Sequence, residues 1–160
     1  MQRKEAQTIV LYFYAIPGMV AVLNRERREI EEDYYSLRGV SMDGMPHGTT
    51  PGKPVESVAI ALEESGAADR LREIRNRVGE LEADRREIQA VIDGLNSRYN
   101  SILNMKYLHG YSWGATSARL GVPDSTIRHW HDKALEKLGK ELESLPKKQE
   151  ILSRASRARV

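Results

Sequence analysis

The chain has 160 residues, 30% of them charged and 40% hydrophobic, with a net charge of only +2. That length holds one domain or two small ones, and the dominance of Ala, Glu, Leu and Arg with few β-branched runs points to an all-α fold. The absence of cysteine excludes disulfides, thiolate chemistry and cysteine-based zinc sites.

After the charged start, "TIVLYFYAIPGMVAVLN" has the outline of a signal peptide, but Pro17-Gly18 interrupts it and no small-x-small cleavage site follows. Its uncharged stretch from Thr8 to Asn24 is also short of the ~20 apolar residues of a membrane-spanning helix. A buried helix, with no membrane partner, is expected. Past the proline, Ile16, Val20, Leu23, Ile30, Tyr34 and Leu37 fall on a 3-4 repeat whose one polar member is Arg27. Arg38 to Pro54 then collects Gly, Pro, Asp and Thr and reads as a long loop. Its "PGKP" is no phosphate-binding loop, because His47 stands where the first glycine belongs and Pro54 replaces the Ser/Thr.

Helix is expected to resume at Val55, Val58 and Leu62. A heptad-like stripe follows: Leu71, Ile74, Val78, Leu81, Arg85, Ile88, Ile92 and Leu95 alternate three and four apart. Its partner is the first helix folded back as a hairpin, the same helix of a second subunit, or both. A homo-oligomer through the 71–95 helix is therefore expected. A break follows, with Gly94 as a helix stop and Ser97 as the cap of the next helix. Three short helices follow, with Ser112 as the cap of the second, Ile102, Leu103, Met105 and Leu108 inside the first and Ile127, Ala134, Leu135 and Leu138 inside the last. Pro146 ends the run, and the last residues, five cations against Glu150, read as a frayed basic tail. The expected organisation is a helical hairpin or coiled-coil oligomerisation module over 1–95 with the loop at 38–54, a C-terminal helix-turn-helix over 96–145, and a basic tail over 146–160.

Gly121 fits the turn of a helix-turn-helix, which needs a residue tolerant of positive φ. The helix after it turns Ile127, His131, Ala134 and Leu138 inward and Ser125, Arg128, His129 and Asp132 outward. Ser125 and Thr126 near its start can bind phosphate, and Arg128 and His129 can reach base edges. With Ser112, Trp113, Arg119 and Lys133 they form the expected contacts to double-stranded DNA. Trp130 either wedges against the preceding helix or lies on the DNA backbone. His129 and His131 point to different faces, so no metal site is expected. No nucleophile-base pair or spaced carboxylate pair suggests an enzyme, and no cofactor is implied.

The stretch "NSRYNSILNMKYLHGYSWGATSARLGVPDSTIRHWHDKALEKL" resembles region 4 of sigma-70 factors, through Tyr107-Leu108-His109-Gly110, Ser112-Trp113, Leu120-Gly121-Val122, Thr126-Ile127-Arg128 and Ala134-Leu135-Glu136-Lys137-Leu138. Thr116, Ser117 and His131 depart from the family by replacing apolar residues, and Trp130 takes a customary Arg position. With its upstream loop and heptad helix, the chain looks like the small phage-encoded regulators of the RinA/ArpU type. That resemblance implies a late-gene transcription activator in the cytoplasm of a bacterial host, with host RNA polymerase as a second partner. No segment resembles the promoter −10-reading region, so a complete sigma factor is not implied. Two rivals are a DNA-packaging (small terminase-like) recognition subunit, which ring assembly would favour, and a helical adaptor, which absence of salt-sensitive DNA binding would select.

Overall fold

The structure, a computed structural model, describes residues 1–39, 60 and 63–158, the side chains of 34–39 excepted. The loop expected over 38–54 falls, beyond Gly39, outside the described residues, as do Val55, Val58 and Leu62. The described residues form six helices and no strand: α1 (Arg3–Gly39), α2 (Ala67–Asp93), α3 (Ser97–Leu103) extended by a π turn (Asn104–Leu108), α4 (Trp113–Leu120), α5 (Asp124–Glu143) and α6 (Lys148–Arg157). The fold is all-α, as the composition requires.

The chain forms two compact units, one of Met1–Pro17 with Glu82–Val160 and one of Gly18–Leu81. The divisions fall inside α1 and α2, not between Leu95 and Asn96. On α1 the division coincides with Pro17, which has no N–H to give the Phe13 carbonyl.

In the Gly18–Leu81 unit, α1 and α2 are joined by a two-pronged ion pair, with Arg70 Nε 2.6 Å and Nη2 2.8 Å from the two carboxylate oxygens of Glu26. Arg70 also reaches Glu73 at 3.1 Å. The Arg70 guanidinium holds the Glu26 carboxyl below its ordinary range. Ile74 and Leu81 are buried, while Val22 is 62% exposed. This is the folded-back hairpin among the alternatives.

The other unit contains the first half of α1. That helix is long and apolar enough to cross a membrane by length and composition, but Ala6, Ile9, Val10, Tyr12, Phe13 and Ile16 are all buried as core residues. They share the unit with Ile88 and Ile92 of α2, Ile102 and Leu103 of α3, and the inner stripe of α5 from Ile127 to Leu142.

This packing bears on two expectations. Ile74, Leu81, Ile88 and Ile92 are at most 1% exposed within a single chain. These four positions are thus filled within the chain, while Leu71, Val78 and Leu95 of the stripe are half-buried. The segment expected to fray is instead α6, with Ile151 and Ala155 buried one turn apart. It is anchored by charge. Arg154 donates from Nε and Nη2 to the two oxygens of Asp84, each at 2.7 Å, and the Tyr12 hydroxyl donates to Asp84 Oδ2 at 2.7 Å. One buried carboxylate so ties α1, α2 and α6 together.

Candidate nucleic-acid interface

The local structure of the helix-turn-helix follows from its caps. Asn96, rather than the expected Ser97, caps α3, its side chain accepting from the Arg98 N–H at 3.0 Å. The helix then widens: the His109 N–H reaches back five residues to the Asn104 carbonyl at 3.0 Å, and Gly110 turns the chain with φ +66. The wider turn shifts the side-chain register. Tyr107 therefore faces inward, and Leu108, expected inside, is 60% exposed.

Ser112 caps α4 by accepting from the Ala115 N–H at 3.1 Å. Gly121 closes α4 in the left-handed conformation, φ 67 and ψ 29, with its N–H on the Ser117 carbonyl at 2.9 Å. The polar departures in this helix are satisfied locally. Buried Thr116 donates to the Ser112 carbonyl at 3.0 Å, and Ser117 donates to the Val122 carbonyl. Pro123 then starts α5, and Asp124 in the first turn suits the positive end of the helix dipole.

On α5, Ile127, His131, Ala134, Leu135 and Leu138 are buried, and Ser125, Arg128, His129 and Lys133 are exposed with Thr126 half-buried. The inward and outward faces are those expected from the spacing. Arg128 leans on Asp124 at 3.3 Å, and Lys133 pairs with Glu136 at 3.0 Å. Both pairs are exposed and weak enough to exchange for a phosphate. Ser112 spends one lone pair on its cap and keeps its O–H proton. Arg119 lies over the Tyr111 ring at 4.3 Å.

Trp113 is the junction of the site. Its ring meets His131 edge-on with centroids 4.9 Å apart, carries the Lys106 ammonium at 4.3 Å and has the Arg128 guanidinium at 6.0 Å. Sequence reasoning missed Lys106, along with Arg98 and Lys137. Arg98 covers the Trp130 ring at 4.3 Å, and Lys137 stands 5.3 Å from Tyr99. Trp130 so stands with Arg98 of α3. Both of these pairs link α3 to α5, which no spacing within one helix reveals.

His131 is 7% exposed, and its Nε2 lies 2.7 Å from the Tyr107 hydroxyl. Burial lowers its pKa from the ordinary value, opposed by Asp132, whose Oδ1 is 3.6 Å from Nδ1. In the tautomer that turns Nδ1–H toward Asp132, Nε2 accepts from the Tyr107 hydroxyl. Tyr14 stacks on Tyr107 at 6.1 Å between centroids and donates to Asn104 Oδ1 at 2.7 Å, and burial raises its pKa to about 12. Among the described residues no cluster of His, Asp and Glu is arranged to hold a metal ion.

The exposed part of α5 thus offers hydroxyl, guanidinium and imidazole groups on a packed helical body, which suits a nucleic-acid groove. Neither an individual curated protein nor a solved structure matches the chain. Residues 85–138, about a third of the chain, match the family model described as Sigma-70, region 4, a stretch beginning within α2 and ending at Leu138 of α5. That match supports a sigma-factor-like helix-turn-helix DNA-binding domain in this part of the chain, and with it DNA-binding transcription regulation.

Proposed function

We propose that the protein is a sequence-specific transcription regulator of the phage RinA/ArpU type, activating late genes with host RNA polymerase in the bacterial cytoplasm. The observation that carries this reading is the start of α5, where Ser125, Arg128 and His129 stand exposed on a turn fixed by Gly121 within the matched segment. In this reading α5 enters the major groove by its N-terminal turns. Ser125 and Thr126 hold a phosphate, and Arg128 and His129 meet base edges. Ser112, Trp113, Arg119 and Lys133 contact the backbone on either side.

The test is selection of binding sites from random duplexes by the full-length protein, followed by transcription with bacterial RNA polymerase from a promoter carrying the selected site. The expected outcome is an enriched site bound at least ~10³-fold more tightly than random DNA, together with a rise in transcript. Absence of salt-sensitive binding refutes the whole reading. Binding without any change in transcript refutes the activator part alone.

A further inference from the structure

The reading face of α5 is short of positive charge within its own sequence. From Asp124 to Glu136 it carries Arg128 and Lys133 against Asp124, Asp132 and Glu136, none of the five buried. Arg128 answers Asp124, and Lys133 answers Glu136. Within α5, Asp132 has beside it only the ring of His131, whose pKa burial lowers. A helix with that balance would approach a polyanion at a disadvantage.

The missing cation comes from a helix 129 residues away in sequence. Arg3 of α1 places Nη1 3.2 Å from Asp132 Oδ2 and Nη2 3.0 Å from Glu136 Oε1, so one guanidinium spans carboxylates one turn apart. The backbone beneath it is pinned. A Cβ on Gly139 would stand 3.2 Å from the Met1 carbonyl oxygen and 3.6 Å from Ala6 Cβ, so the start of α1 lies closely against α5 at this glycine. Ala6 itself is fully buried. Arg3 is held on this face by the packing of α1, and it lies far outside the 85–138 segment.

We propose that Arg3 is a working part of the DNA-binding face: it cancels Asp132 and shares Glu136 with Lys133, freeing Lys133 to meet the DNA. This rests on the DNA-binding reading above. Arg3 acts through the two carboxylates and is a positioning residue, not itself a phosphate ligand.

The experiment uses the full-length chain and a mixed-sequence DNA duplex, with affinity read by fluorescence anisotropy across a salt series and folding read by circular dichroism. Arg3→Gln should weaken binding roughly tenfold at low salt, with a deficit that shrinks as salt is added. Adding Asp132→Asn and Glu136→Gln to it should restore binding to the wild-type level or tighter. Two outcomes overturn the proposal while leaving DNA binding intact. Wild-type affinity in Arg3→Gln would make the contact a structural staple only. A triple variant as weak as the single one, with its salt slope reduced by about one phosphate, would make Arg3 a direct ligand. Absence of salt-dependent binding by the unaltered protein would overturn this inference and the function together, and it is recognised before any variant is made.

Discussion

Replacing Arg154 by Met should destabilise the unit that holds the helix-turn-helix by about 3–5 kcal/mol, the range for removing one partner of a buried ion pair. The size follows from what remains. Asp84 is 3% exposed at its side chain and Arg154 13%, and two 2.7 Å hydrogen bonds join them. Without the guanidinium the carboxylate keeps the Tyr12 hydroxyl but no longer has the Arg154 charge that balanced it. Replacing Asp84 by Leu in the same chain removes the stranded charge and should recover most of the loss. Both tryptophans, Trp113 and Trp130, lie in this unit, so their fluorescence follows its unfolding directly. At about 2–4 °C per kcal/mol for a chain of this size, the single variant should melt about 10 °C lower. A single variant within about 0.5 kcal/mol of the wild type would refute the reasoning, because it would mean that α6 frays as its composition alone suggests.

Arg128→Ala should lower the ratio of specific to non-specific DNA affinity by about 1–3 kcal/mol, whereas Ser125→Ala should weaken both alike; competition binding with selected and random duplexes separates the two. Gly121→Ala meets no atom within 4 Å but must adopt φ +67, so a thermal melt should show a loss of about 1–2 kcal/mol from the backbone alone. Because burial lowers the His131 pKa, the folded protein binds fewer protons than the unfolded chain just below about pH 6.5. Its contribution is complete above that pH and is lost as the pH falls through the folded value. Denaturation curves between about pH 7 and pH 5 should therefore decline in the wild type and flatten in His131→Leu.

What the sequence made legible was local. The Ser112 cap, the Gly121 turn and the inward set from Ile127 to Leu138 depend on neighbours within two or three turns, and each is found where the spacing puts it. What it concealed depends on partners far along the chain. Nothing near Arg3 announces Asp132 and Glu136, and nothing near Asp84 announces Arg154 seventy residues on. Distant partners also set the place of the first half of α1, which contributes core side chains to the unit that holds the helix-turn-helix. The last segment did carry a usable signal. Ile151 and Ala155 are one helical turn apart, but counting charges hid them.

The π turn at Asn104–Leu108 holds one residue more than an α-helix would use to cover the same path, since its backbone bonds span five residues where four suffice. In evolutionary terms it is a store of chain length. Loss of a single codon there could be absorbed by rewinding the turn as ordinary helix, leaving Ile102 and Leu103 in the core and the Gly110 corner intact. The exchange would not be silent. If the lost codon were that of Tyr107, His131 would lose the hydroxyl that stands 2.7 Å from its Nε2. A relative lacking the histidine would have no reason to keep the extra residue, so insertion at this turn and a polar residue at 131 should be inherited together.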